Sequence, residues 1–291
     1  MAAKSRTVRR LATRRITTIE RVSEVLIVIA IALYLYPIVA NYFADQQRSV
    51  AVSNYDKKLA QMSKAQIAAE LRTAEDYNQW LWASQRGIPA KPVPYTKVMA
   101  EDTVMGTLDI PAIDIQHMPF FHGDDENTLS KGLGHMPGTS IPIGGKNTRA
   151  VITGHTGVEN QKLFSEVDKL QKGDVFYVHV LNRNLMYKIY KIEVVKPDRT
   201  DKVRIIKNQD TVTLLTCTPP GINSFRLLVT GKRHIPYVDP DHLHIVKRDF
   251  WSYEHIVLAL LFLLLLVLLV GYLYRRHMRR LLANEGGQNN G

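Results

Sequence analysis

Two side chains able to do covalent and proton-transfer chemistry sit where apolar, β-branched runs end. Cys217 closes Thr211-Val212-Thr213-Leu214-Leu215-Thr216-Cys217 and opens onto Thr218-Pro219-Pro220-Gly221. It is the only cysteine in 291 residues, so it belongs to no intrachain disulfide and no multi-cysteine zinc site. A strand end that gives way to a Pro-Pro-Gly loop holds a nucleophile rigidly while leaving it open to substrate. The same stretch also suits a small buried hydrophobe, a common fate of free cysteine. A catalytic thiol needs a neighbour that favours the thiolate, usually a histidine near in space. Among ten histidines, His155 stands out, because Ala150-Val151-Ile152-Thr153-Gly154-His155-Thr156-Gly157 is again a strand running into a glycine-bracketed turn. Taken alone, it reads equally as a turn histidine satisfied by backbone groups. Arg226, nine residues after the cysteine, starts the apolar run Arg226-Leu227-Leu228-Val229-Thr230. Such an arginine is either a solvated strand end or a fixed guanidinium that stabilises an oxyanion. Together the three residues would supply nucleophile, acid/base and charge stabiliser.

The elements that must position them are mostly short strands. From Gly106 onward, β-branched or aromatic runs cover 107–110, 113–118, 150–153, 175–180, 186–195, 212–217 and 227–230. Turn signals such as Gly144-Gly145-Lys146-Asn147 and Lys172-Gly173-Asp174 separate them. Two short helices are expected at 124–131 and 162–170, the first with Asp124-Asp125-Glu126 supporting its start. Many short strands with few helices predict a mainly β fold, a closed or nearly closed barrel. Ahead of it, 45–84 reads as helix, with Val52, Tyr55, Leu59 and Met62 at three- and four-residue steps. Ser63-Lys64-Ala65-Gln66 has the form of a capping box, which predicts a break there. Gly87-Ile88-Pro89-Ala90-Lys91-Pro92-Val93-Pro94 then imposes an extended linker or flap.

The ends of the chain set its compartment. Residues 25–44 and 256–274 carry no charged side chain, and each run is long enough to cross a hydrocarbon core of roughly 30 Å as a helix. A cleaved signal peptide competes for the first. That apolar run exceeds the roughly 7–15 residues of a signal core, and no small-x-small site follows it, so an uncleaved anchor is expected. Lys4 with Arg6, Arg9, Arg10, Arg14, Arg15 and Arg21 precede the first run, and Arg275, Arg276, Arg279 and Arg280 follow the second. Basic flanks stay inside, which predicts two cytoplasmic termini and an extracytoplasmic middle. Most of the formal charge of +11 resides in these flanks. The high basicity thus reports topology, and no nucleic-acid partner is expected.

Thr213-Leu214-Leu215-Thr216-Cys217 matches the TLxTC signature of sortases, and Cys217 to Val229 resembles the active-site stretch of their pilin-assembling class C. Gly134-His135-Met136-Pro137-Gly138-Thr139-Ser140-Ile141-Pro142-Ile143-Gly144-Gly145 and Val151-Ile152-Thr153-Gly154-His155 extend the resemblance over about residues 104–236. What it implies is a closed eight-stranded sortase barrel and a membrane-anchored cysteine transpeptidase that needs no cofactor or metal. His155, Cys217 and Arg226 match the family's catalytic positions, and Thr216 is expected to bind substrate near the oxyanion. Partners would be pilins or surface proteins with an LPxTG-like C-terminal signal, cut between Thr and Gly and passed to a pilin lysine. A housekeeping sortase using a peptidoglycan amine, or a catalytically silent scaffold, are the competing readings.

The resulting map has a basic leader (1–24), a span (25–44), a helical region with Pro-rich linker (45–103), the barrel (104–236), a stalk (237–255), a second span (256–274) and a tail (275–291). Class C sortases usually carry an Asp-Pro-aromatic lid, and that tripeptide is missing from 45–105. The lid is therefore either absent or altered, the second reading making 45–103 its candidate region with Trp80 or Trp82 as the aromatic residue. Pro219-Pro220 also departs from the family's usual Pro-Tyr. His242 and His244 in Asp239-Pro240-Asp241-His242-Leu243-His244 read as solvated stalk rather than metal ligands, and His135 as a structural histidine.

Overall fold

The computed structural model describes residues 2–99, 104–156, 164–235 and 253–288. His242 and His244 lie outside them. The chain divides into a unit formed by 1–41 with 248–291 and a unit spanning 42–247. Helix α1 (Ala2–Gln61) runs from the first unit into the second, and helix α4 (Tyr253–Gln288) belongs to the first. Both are long and apolar enough to cross a membrane, over Glu24–Gln61 and Leu258–Arg275.

Helix α2 (Lys64–Ser84) begins where the capping box predicts. Ser63 Oγ accepts from Gln66 N at 3.2 Å, and Gln66 Oε1 accepts from Ser63 N at 2.7 Å. Its inner face, with Ala74, Tyr77 and Leu81, joins the core of the barrel. Asn78 completes the docking, since its Nδ2 donates to Ile141 O at 3.0 Å and its Oδ1 accepts from Ile141 N at 2.7 Å.

The barrel consists of β1 (Val104–Ile110), β2 (Ile115–His122), helix α3 (Glu126–Lys131), β3 (Leu133–His135), β4 (Thr148–Thr153), β5 (Val175–Val180), β6 (Arg183–Val195), β7 (Asp210–Thr218) and β8 (Phe225–Arg233). Its strands close in the order β1-β2-β3-β4-β7-β8-β6-β5. The short strand β3 escapes a periodicity reading because three residues carry too little pattern. It nevertheless supplies the link between β2 and β4. The helix expected over 162–170 is a single 3-10 turn at Val167–Lys169 within the described residues.

Side chains alternate across the wall. Ala150 and Ile152, Val212 and Leu214, and Leu227 and Val229 point into the core with Leu108, Phe120, Phe176 and Tyr187. Arg149, Thr213 and Thr230 therefore share the outer face. Close packing is visible at Gly231, where a Cβ would stand 2.5 Å from Phe176 Cε1, so the aromatic ring occupies the place of a side chain.

Candidate active site

Two registers bring the chemistry to one rim of the barrel. β7 and β8 pair antiparallel with Cys217 opposite Arg226, which sets their Cα atoms roughly 4.5–5.5 Å apart and their side chains on one face. β4 pairs parallel with β7, Thr153 opposite Leu215, and Gly154 N donates to Leu215 O at 3.1 Å. His155, two residues beyond Thr153, thus leaves β4 at the level where Cys217, two residues beyond Leu215, leaves the paired part of β7. By the same alternation Cys217 and Arg226 belong to the outer face of the wall, that of Arg149, Thr213 and Thr230.

A second layer shapes that face. Arg149 is buried, and its Nε donates to Thr213 Oγ1 at 3.0 Å, its Nη2 to Thr230 Oγ1 at 3.3 Å and its Nη1 to Arg204 O at 3.4 Å. The last bond ties the loop between β6 and β7 to the wall. Helix α2 holds the same loop from outside, since Gln85 just after it accepts from Ile205 N at 3.0 Å and Arg204 Nη2 donates to Gln85 O at 3.1 Å. Burial lowers the pKa of the Arg149 guanidinium, and distant Tyr190 and Glu193 only partly oppose this.

Cys217 is half-buried and free. The His155 side chain is 29% exposed. Its Nε2 is buried without a hydrogen-bond partner among the described residues, 3.7 Å from Glu126 Oε2. Arg226 Nη1 donates to Asn223 O at 3.0 Å and to Phe225 O at 3.1 Å. One guanidinium nitrogen thus braces the Pro219–Ser224 loop, and a guanidinium with five N–H groups has others to offer.

Thr216, one residue before the cysteine in a strand, lies on the opposite face and is 2% exposed. Its Oγ1 donates to Gly154 O at 2.7 Å and contacts Thr156 Oγ1. These contacts fit a clamp on the turn carrying His155. Trp80 and Trp82 likewise pack against the core cluster, with Arg86 stacked 3.0 Å over the Trp82 ring. The linker after α2 is held by Tyr95, whose hydroxyl lies 2.8 Å from His135 Nδ1 and whose ring packs, tilted, on His122 at 3.8 Å between centroids.

Sequence reasoning missed Glu126, Arg149 and Gln85 as contributors to this rim. Glu126 reads simply as a helix-start acid, and no local pattern announces a contact spanning 29 residues.

A cysteine and a histidine thus leave adjacent strand ends, with an arginine opposite the thiol, on a closed eight-stranded barrel. The chain belongs to the sortase family of cysteine transpeptidases: the Sortase domain matches residues 108–234. It is similar to Clostridium perfringens sortase C, at 40% identity over 65% of this chain and 100% of that one, with a TM-score of 0.59. Similarity to Actinomyces oris sortase C-1 reaches 44% identity over 59% of this chain and 98% of that one, with a TM-score of 0.53. Sortase D of Bacillus subtilis is 29% identical over 131 residues, and the match spans 63% of that protein's length and 44% of this one.

Proposed function

We propose that this chain is a membrane-anchored pilin polymerase with Cys217, His155 and Arg226 as its catalytic residues. The observation that carries the reading is the double register of β7, antiparallel to β8 and parallel to β4, which gathers the three residues on one rim. The Cys217 thiolate attacks the Thr carbonyl carbon of an LPxTG-like signal. Arg226 stabilises the resulting oxyanion, a contribution on the order of 3 kcal/mol for one well-placed donor. As the C–N bond to Gly breaks, the His155 imidazolium protonates the departing amine, leaving a thioester on Cys217. A pilin lysine amine then attacks this thioester, His155 takes its proton, the thiolate leaves, and an isopeptide bond remains. Thr216 and Arg149 position this machinery without touching the reacting atoms.

The pilin assignment is supported by likeness to class C structures. That of Streptococcus pneumoniae, 40% identical, is described in terms of pilin substrate specificity, and that of group B Streptococcus, 34% identical, as pilus-related. The basic flanks and apolar helices support an orientation with both termini cytoplasmic, the barrel outside and 237–255 as a stalk.

The test is reconstitution of the full chain with a pilin bearing the signal. Wild type is expected to yield a high-mass covalent ladder and Cys217→Ala none, while remaining folded and in the membrane. Undiminished ladders from the variant overturn the catalytic assignment. Mass spectrometry of the new bond decides the acceptor: a lysine side-chain isopeptide supports the pilin role, and a peptidoglycan amine identifies a housekeeping sortase.

A further inference from the structure

Resting on that transpeptidase reading, we infer that Glu126 is a positioning residue that orients the His155 imidazole. The carboxylate is delivered by a firmly seated element. Asp125 caps α3 by accepting from Thr128 N at 3.1 Å. The chain just before the helix pairs with β3 through the Gly123–His135 bridge. A Cβ on Gly134 would lie 2.4 Å from Gly123 O and 3.0 Å from Leu129 Cδ2, so the start of α3 and its inner face press directly on β3. β3 in turn pairs with β4, which carries His155 at its end.

From this seat Glu126 Oε2 reaches to 3.7 Å from His155 Nε2. The nitrogen is shielded from solvent and has no hydrogen bond among the described residues, whereas the carboxylate is 89% exposed and free to change rotamer. An approach of under about 1 Å converts this separation into a charge-assisted hydrogen bond and satisfies a buried polar nitrogen that is otherwise costly. An Nε2–H donated to Glu126 leaves Nδ1 to exchange the proton with the substrate amine. It is the logic of a base oriented by a third group.

Glu126 reaches His155 from the first turn of α3, with Asp124 and Asp125 just ahead of it and Lys131 at the far end of the helix. A carboxylate so exposed acts by fixing the ring's orientation, and its hold is weakened by salt.

The test uses the full-length protein in detergent, a peptide carrying the Leu-Pro-x-Thr-Gly signal, and the variants E126Q, E126D and C217A. In E126Q kcat is expected to fall several-fold with KM and Tm unchanged, and E126D to retain most of the wild-type rate. Raising ionic strength from about 0.05 M to about 1 M should lower the wild-type kcat toward that of E126Q and leave E126Q where it is. A wild-type kcat in E126Q at low salt overturns the assignment, as does a loss accompanied by a lower Tm. If C217A still cleaves the peptide, the transpeptidase reading itself fails. An inactive C217A beside an E126Q of wild-type rate removes Glu126 alone.

Discussion

Replacing His135 with asparagine should flatten the acid side of this protein's stability profile. His135 ends β3 with no exposed surface. Its Nε2 lies 2.8 Å from Ser140 O, to which it donates, so Nδ1 is the acceptor facing the Tyr95 hydroxyl at 2.8 Å. Burial is the main cause that pulls its pKa from 6.5 down to about 4; the Ser140 carbonyl opposes this, and nearby His122 adds to it. The unfolded chain takes up a proton as pH falls through the ordinary value, while the folded chain resists until about pH 4. The folded state therefore keeps its full stability above the unfolded pKa and loses it as pH falls through the window between them. At about 1.4 kcal/mol per pH unit, the loss attributable to this one histidine is about 2 kcal/mol at pH 5 and about 3 kcal/mol at pH 4. The protonated ring would also face the linker that Tyr95 pins, so that segment should loosen first. The assay is urea denaturation of wild type and H135N in detergent between about pH 7 and about pH 4. H135N starts lower, having lost packing and the Tyr95 partner, but the gap between the two curves should close on acidification. Parallel curves would refute the argument.

Asn78→Ala strips both hydrogen bonds from the Ile141 backbone at a buried site. It should cost about 2 kcal/mol, read as an earlier urea midpoint. Arg149→Met frees the β6–β7 loop while keeping the apolar stem. The expected result is a raised KM for the signal peptide with a smaller change in kcat, and an unchanged KM would contradict the wall-bracing role. Thr216→Val removes the bond to Gly154 O; kcat should fall several-fold, with about 1 kcal/mol of stability lost. Gly106→Ala drives a Cβ to within 2.3 Å of His179 O across the β1–β5 pair. It should destabilise by several kcal/mol, measurable as loss of folded protein on expression.

The barrel class was legible because its strands are β-branched runs bounded by glycine and proline, and the break at Ser63 because a capping box is a four-residue motif. The three-residue β3 was not, nor was the short 3-10 turn at Val167–Lys169, since pairing partners far along the chain decide such pieces. Cys217, His155 and Arg226 could be singled out because strand-end placement is a local pattern, and the match to a family signature joined them. That Thr216 faces away from Cys217 was legible too, since adjacent strand residues face opposite ways.

What the sequence alone determined is therefore what depends on residue type and short-range period: a mainly β sortase domain, apolar segments of membrane-spanning length, and a lone thiol at a strand end. Only the tertiary structure decided which groups surround that thiol. Glu126 meets His155 across 29 residues, Arg149 braces Arg204 across 55, and Gln85 holds Ile205 across 120. Strand pairing around the barrel and the docking of α2 against it bring these pairs together, and both depend on registers and contacts spread along the whole chain rather than on any one stretch.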